Sequence, residues 1–280
     1  MRVGFVGAGK VGCSLGRYMV EKNVKVCGYF SRSSESTKES ADFTNSTGYD
    51  KISDLVAHSD ILFLTVSDGA IETVWNSIKE LPIKGKIICH CSGALSSKVF
   101  CGIEELGAYG FSVHPLYAIK DRKTSYRELH NALFTIEGSS PYLSKMNNFI
   151  KSLGNVTQNI DAAAKIKYHT AAVMVSNQVI ALAQTGMDML ISCGFAEENA
   201  RIALNPLMQG NMENIVQYGT LAALTGPVER NDIETIKKHI RCLSPREKKI
   251  YCELSKVLLE IAQKKHPQRD YSALEAEMKK

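Results

Sequence analysis

MRVGFVGAGKVGCSLGRYMVEKNVKVCGYFSR, residues 1 to 32, opens with a short apolar run from Arg2 to Val6, followed by Gly7, Gly9 and Gly12 in G-x-G-x-x-G spacing. From Lys10 to about Lys22, Val11, Leu15, Tyr18 and Met19 recur at helical spacing, and Val24 to Phe30 is a second β-rich run. Strand, glycine turn, helix and strand in this order give the glycine pattern its meaning. Gly7 permits the tight turn, Gly9 lets a pyrophosphate approach the backbone, and Gly12 lets the helix pack against the sheet. The first-turn N–H groups of such a helix lack internal partners and attract an anion. Gly7, Ala8, Gly9, Lys10, Val11 and Gly12 are therefore the candidate dinucleotide cradle.

The end of the second strand bears on which dinucleotide. An acid there would bind ribose hydroxyls and favour NAD(H). This chain has Tyr29, Phe30, Ser31, Arg32, Ser33 and Ser34, with no acid before Glu35. Arg32 can fork onto a 2′-phosphate that a carboxylate would repel, and Ser31 and Ser33 offer hydroxyl donors. NADP(H) is the expected cofactor; a solvated loop charge is the alternative reading of Arg32.

Further strands are expected at Ile61–Val66, Lys86–Cys91, Gly110–His114, Ala132–Glu137 and Val156–Ile160. Ser33 to Asp50 reads as loop plus a short helix, and further helices as Gly69 to about Glu80, one from about Ser96, and Pro141–Leu153. Residues 1–160 so describe one doubly wound α/β domain. Ligands sit at the carboxyl ends of its strands, which adds Thr65, Val66 and Ser67 to the cofactor candidates and leaves Asp68 as a helix N-cap. Residues 161–280 read as all-helical. Ala162 to about Cys193 is apolar almost all round, so it should be deeply buried, and a domain this small cannot bury it alone. A homodimer interface is the expected cover. Helices follow at Ala196–Leu204, Pro206–Tyr218 and Asp232–Leu243, the last with Asn231 and Glu234 as a capping box, and one from Ser244 to about Lys265 with Ser244 and Glu247 as another.

Composition sets the class. The chain has 280 residues, 44% hydrophobic and 22% charged, which suits two globular domains. A formal charge of +5 can draw an anionic ligand, but no basic run is long enough to suggest nucleic acid. Asn177, Gln178, Gln184 and Asp188 interrupt the most apolar segment and argue against a membrane span. The eight cysteines include no C-x-x-C, lie largely in apolar runs (Cys13, Cys27, Cys89, Cys91, Cys193, Cys252) and favour a reducing, cytoplasmic setting; no signal peptide is visible. Cys89 and Cys91 alternate with His90 along a strand, so these side chains and His114 would not converge on zinc, and no metal is expected.

Ser92-Gly93-Ala94, Ser112-Val113-His114-Pro115-Leu116, Tyr168-His169-Thr170-Ala171-Ala172 with Ser176-Asn177, Asn205-Pro206-Leu207 and Leu224-Thr225-Gly226-Pro227 with Arg230 and Asp232 carry a resemblance over nearly the whole chain. It resembles Rossmann-like proteins with a helical C-terminal domain of unknown function 2520, in the superfamily of 6-phosphogluconate dehydrogenase and pyrroline-5-carboxylate reductase. The resemblance implies a Rossmann domain followed by an all-helical substrate and dimerisation domain, and hydride chemistry.

Lys165 and His169 are four residues apart and share one helix face. The hydroxyacid dehydrogenase relatives place a lysine and an asparagine at this spacing. By resemblance Lys165 is the general acid/base and His169 stands where the asparagine orients substrate, although a solvated lysine and a satisfied core histidine remain the alternatives. His114-Pro115 is similar to the catalytic His-Pro of prephenate and arogenate dehydrogenases, and Ser92-Gly93 to the substrate-binding Ser-Gly-Gly of 6-phosphogluconate dehydrogenase. Asn177 and Arg230 complete the substrate candidates, Arg230 for a carboxylate. The expected activity is NADP(H)-dependent hydride transfer to or from a small carboxylate-bearing hydroxy acid, keto acid or imine. A non-catalytic NADPH sensor or scaffold and a deazaflavin-dependent reductase are the alternatives.

Overall fold

The computed structural model describes residues 1–279 and divides into two compact units, Met1–Ser176 and Asn177–Lys280. The first unit holds β1 (Arg2–Val6), α1 (Lys10–Glu21), β2 (Lys25–Phe30), α2 (Ser34–Thr44), β3 (Thr47–Gly48), α3 (Ile52–His58), β4 (Ile61–Leu64), α4 (Asp68–Ile78), β5 (Ile87–His90), β6 (Tyr109–Leu116), β7 (Leu133–Gly138), α5 (Leu143–Ser152), β8 (Thr157–Asn159) and α6 (Lys165–Val175). Its strands form one sheet in the order β3-β2-β1-β4-β5-β6-β7-β8, parallel except between β6 and β7. This is the doubly wound order expected of a dinucleotide-binding domain.

Period-two alternation builds the two core layers. Val3, Phe5, Ile61, Phe63, Ile87 and Cys89 enter one layer with Leu15 and Met19 of α1 and Met146 and Ile150 of α5. Val6, Leu62, Leu64 and Ile88 enter the other, with Leu55 of α3 and Ile71 and Trp75 of α4. Each large apolar side chain so buried contributes about 2 kcal/mol. Register aligns Val6, Leu64, His90 and Ser112 as one row across β1, β4, β5 and β6. The residues after that row therefore meet at one carboxyl edge.

Several elements depart from the sequence expectations. The polar stretch after Phe30 yields α2 and β3, and α3 is an added helix. Only one 3-10 turn, Ser97–Val99, forms where a helix from Ser96 was expected, and Glu137 accepts from both the N–H and the hydroxyl of Ser97. Ser67, not Asp68, occupies the N-cap of α4.

The second unit holds α7 (Asn177–Ser192), α8 (Glu197–Ala223), α9 (Pro227–Arg230), α10 (Ile233–Cys242), α11 (Pro245–Lys265) and α12 (Ser272–Met278). The expected long helix from Ala162 is split at Ser176, whose ψ of -76° departs from the helical run and whose hydroxyl donates back to the Ala172 carbonyl. Nor is it deeply buried: α7 contains no fully buried residue, because α8 packs against it on one side and leaves its other apolar side chains exposed. Cys193, expected in a core, is likewise exposed. α8 runs through Pro206, whose absent N–H forfeits one backbone bond, and is interrupted at Gly219 (φ 78°). Asp232 caps α10 by accepting from the Thr235 N–H, whereas Asn231 sits in the left-handed region, so the cap lies one residue beyond the one expected. The Ser244–Glu247 capping box forms as expected. The core of this unit is Leu224, Val228, Ile236, Leu259, Ala262 and Leu274 with their neighbours. Among the described residues no helix is long and apolar enough to cross a membrane.

Candidate active site

The glycine turn comes first. Gly7 has φ 108° and donates its N–H to the Phe30 carbonyl at 2.8 Å. Thr65 Oγ1 donates to the Gly7 carbonyl at 2.8 Å, so Thr65, one residue past β4, braces this turn. A Cβ on Gly12 would lie 2.4 Å from both Gly7 O and Thr65 Oγ1. A Cβ on Gly9 would meet nothing within 4 Å. Gly7 and Gly12 thus serve the protein's own packing, while Gly9 opens the backbone to whatever docks outside. Gly9 is also the N-cap of α1 and supplies no capping side chain, which leaves the first-turn amides of Lys10 and Val11 to an external acceptor. These residues fit a pyrophosphate.

At the end of β2, Ser31 Oγ donates to the Ser33 carbonyl at 2.8 Å and lies 3.0 Å from Thr37 Oγ1. Its proton is therefore spent inside the loop, contrary to the donor role expected of it. Ser33 Oγ caps α2 by accepting from the Ser36 N–H at 3.1 Å, and its own proton stays available. Arg32 is exposed, and its guanidinium has no partner among the described residues. It lines a cavity of about 510 Å³ with Ser34 and Lys38, and Asp42 and Asp50 also border that cavity.

A second, polar cluster occupies the carboxyl edge of β5 and β6. Lys165 opens α6 with only 1% of its surface exposed, so it is not a solvated lysine. Its Nζ donates to the Ser92 carbonyl at 2.9 Å and to Ser112 Oγ at 2.7 Å. Two of its three N–H bonds are so engaged. Burial lowers its pKa to about 8, against the pull of Glu137, Cys91 and Asp68. Ser92 Oγ donates to Asp68 Oδ2 at 2.7 Å and accepts from the N–H groups of Ala94 and Leu95. Asp68 therefore orients Ser92 as well as starting α4.

His114 Nδ1 lies 2.7 Å from Tyr168 Oη. Burial first, then Lys165 and His169, lower its pKa to about 4 and keep it neutral. Its ring centroid is 6.4 Å from that of His169. His169 Nδ1 is buried without a hydrogen-bond partner among the described residues. A Cβ on Gly93 would lie 2.5 Å from His169 Nδ1 and 3.1 Å from His114 Nε2, so glycine here lets both imidazoles approach. Lys165, His169, His114, Ser92 and Gly93 therefore come together as the sequence suggested. Asn177 opens α7 and Arg230 ends α9, both in the second unit. Thr65, Val66 and Ser67 follow β4.

Two participants escape sequence reasoning: Tyr168 and the Asp68–Ser92 pair. Tyr168 lay in plain view between Lys165 and His169, but its partner is set by β6, which no local pattern reports. Among the described residues no group of three or more His, Cys, Asp or Glu side chains is arranged to hold a metal ion.

Comparison with known proteins agrees with this fold. A Rossmann-like domain family matches residues 1–115 and the domain of unknown function DUF2520 matches residues 132–258. No curated protein matches the chain. Among solved structures, protein TM1727 from Thermotoga maritima is similar with TM-score 0.76 and 26% identity over 94% of this chain and 98% of its own. BF3122 from Bacteroides fragilis, a candidate NADP oxidoreductase, gives TM-score 0.69 and 20% identity over 92% and 98%. Plasmodium falciparum pyrroline carboxylate reductase with NADP bound gives TM-score 0.60 and 15% identity over 95% and 96%. The chain is a Rossmann-like protein that carries a DUF2520 domain.

Proposed function

We propose that this protein is an NADP(H)-dependent oxidoreductase acting on a small carboxylate-bearing hydroxy acid, keto acid or imine. One observation carries the reading: a lysine with a pKa lowered to about 8 is held between two strand ends beside two imidazoles, on the same sheet edge as an open glycine cradle. Burial of a titratable group beside convergent polar partners marks proton-transfer sites. Likeness to an NADP oxidoreductase candidate and to an NADP-bound pyrroline carboxylate reductase supports the same class.

A bound reduced nicotinamide supplies the hydride. Gly9, Lys10 and Val11 would hold its pyrophosphate, and Arg32, with Lys38 close by, its 2′-phosphate. Lys165 Nζ gives a proton to the substrate oxygen or nitrogen during reduction and takes it back in the reverse direction. His114 stays neutral and, with Tyr168 on Nδ1, presents Nε2 for a hydrogen bond to substrate. His169, with Nδ1 unpartnered, is the second orienting group. Asn177 and Arg230 are our substrate-binding candidates, Arg230 for a carboxylate, with residues 161–280 for substrate selection and homodimer formation, and a reducing cytoplasm for the setting, where eight free thiols survive.

The test has two arms. Titration with NADPH and NADH should show tighter binding of NADPH, and equal affinities would defeat the cofactor assignment. A panel of keto acids and imines should oxidise bound NADPH, and K165A, H169A and H114A should each bind NADPH normally yet lose at least about 100-fold in turnover. NADPH that binds but is never oxidised across the panel would establish the sensor reading instead.

A further inference from the structure

His90 ends β5 fully buried and touches neither the glycine cradle nor the open face of the polar cluster. Its ring is anchored by two backbone groups. Nδ1 accepts from the Ser92 N–H at 3.2 Å, and Nε2 lies 3.2 Å from the Ser96 carbonyl. A backbone N–H can only donate and a carbonyl can only accept, so the imidazole is neutral with its proton on Nε2. Burial, the leading cause, lowers its pKa to about 4 and keeps it so, with Lys165 adding in the same direction. Glu137 then fixes the next residue by accepting from Ser97 N and Ser97 Oγ. His90 and Glu137 thus hold the Ser92–Ser97 segment at Ser92 N, Ser96 O and Ser97, while Ser92 Oγ, itself bonded to Asp68, gathers the N–H groups of Ala94 and Leu95; the first carbonyl of the segment is the one that receives Lys165 Nζ.

We propose that His90 is a positioning residue for Lys165, holding the Ser92–Ser97 turn so that the Ser92 carbonyl and the Ser112 hydroxyl keep the Lys165 amine in a dry pocket. The proposal rests on the reading of Lys165 as the proton-transfer group and adds how that group is tuned. Besides His90 itself, the charged and titratable side chains that interact with Lys165 are Asp68 from α4, Cys91 after β5, His114 from β6, Glu137 from β7 and Tyr168 from α6. None of them holds the turn at Ser92 N and Ser96 O. If His90 is removed, the turn loosens and water enters, so the lysine should move back toward its ordinary range, because burial is the main cause of its depression.

The experiment follows the Lys165 titration by NMR of protein isotope-labelled at lysine Cε, the resonance being assigned by its absence in K165M. H90F and H90M keep the volume packed against Phe100 while deleting both hydrogen bonds. H90N retains an acceptor close to the place of Nδ1. In whichever apolar variant melts cooperatively, the Lys165 midpoint should rise by about one unit, and H90N should return most of that shift. The matching limb of the kcat/KM profile should move equally. A midpoint that stays put in a folded H90F or H90M overturns the proposal, as does an H90N that titrates like them, which would assign the effect to lost packing. If the wild-type protein oxidises no NADPH with any substrate offered, the reductase reading falls, while the NMR titration still decides the role of His90.

Discussion

At the scale of single residues, Lys165 brings a stability cost that is itself measurable. Its folded pKa near 8 lies below the ordinary 10.5, so between these values the unfolded chain binds more protons and wild-type stability rises with pH. Near pH 7 the amine is still mainly protonated in a pocket that disfavours charge. K165M removes that burden, and Ser112 Oγ, 3.3 Å from the Ser92 carbonyl, can donate to the acceptor left behind. K165M should therefore be more stable than wild type at pH 7 by on the order of 1 kcal/mol, with the gap closing toward pH 10.5. Thermal melts across that range check it, and a K165M that melts lower at pH 7 would argue that the amine is not buried as described. The histidines give the opposite limb. His90 and His114 fall from 6.5 to about 4 on folding, so the stability they contribute is whole above pH 6.5 and lost as pH falls toward 4. H114Q should make that acid loss shallower by about one proton, read as the slope of unfolding free energy against pH. Spacing alone puts Lys165 and His169 on one helix face. What that face meets is decided by β5 and β6, more than fifty residues earlier in the chain, which is why sequence left a solvated lysine open as an alternative.

At the scale of elements, the glycine turn separates two roles that the motif fuses. G12A would drive a Cβ to 2.4 Å from the Gly7 carbonyl, a backbone atom that cannot move aside cheaply. It should destabilise the protein by about 1–3 kcal/mol and lose NADPH binding with it. G9A meets nothing within 4 Å, so its melting temperature should stay near wild type while NADPH affinity falls at least about tenfold, the methyl group standing where the phosphate approaches. Paired melts and titrations check both. A G9A protein with unchanged affinity would remove the cradle from the cofactor site. Local chemistry made much of this level legible. The strand–turn–helix unit and the Ser244 capping box depend on neighbours in sequence, and both form as read. The failures have two causes. Ser97 is drawn to Glu137 on β7, and Asp232 outcompetes Asn231 for the cap because Asn231 takes the left-handed conformation that ends α9. In the first case the contact that holds the turn comes from a strand distant in sequence, which no local pattern reports. In the second, two capping residues stand side by side and the backbone chooses between them.

At the scale of the whole molecule, alternation in the first 160 residues revealed the sheet because its central strands are buried on both faces by their own unit. The second half behaves differently. Its all-round apolar helix announces burial, but sequence does not say whose surface provides it, and α8 covers it only in part: Ile180 is 69% exposed on α7 and Val216 is 86% exposed on α8. Leu182, Leu207, Met212 and Tyr218 extend the same exposure along these helices. So many large apolar side chains exposed on two neighbouring helices mark an interaction site, and a second copy of the chain is the partner the all-helical arrangement favours, since a twofold axis lets the same helices cover each other. We therefore predict a dimer at micromolar concentration by sedimentation velocity. V216D and I180D should shift it to monomer because each would bury an unpaired carboxylate at the interface. Neither residue belongs to the first unit, so NADPH affinity should be retained in the monomers. A wild-type protein that sediments as a monomer would show that these helices are covered by something other than their own twin, and would detach the dimer from the oxidoreductase assignment without touching the Lys165 site.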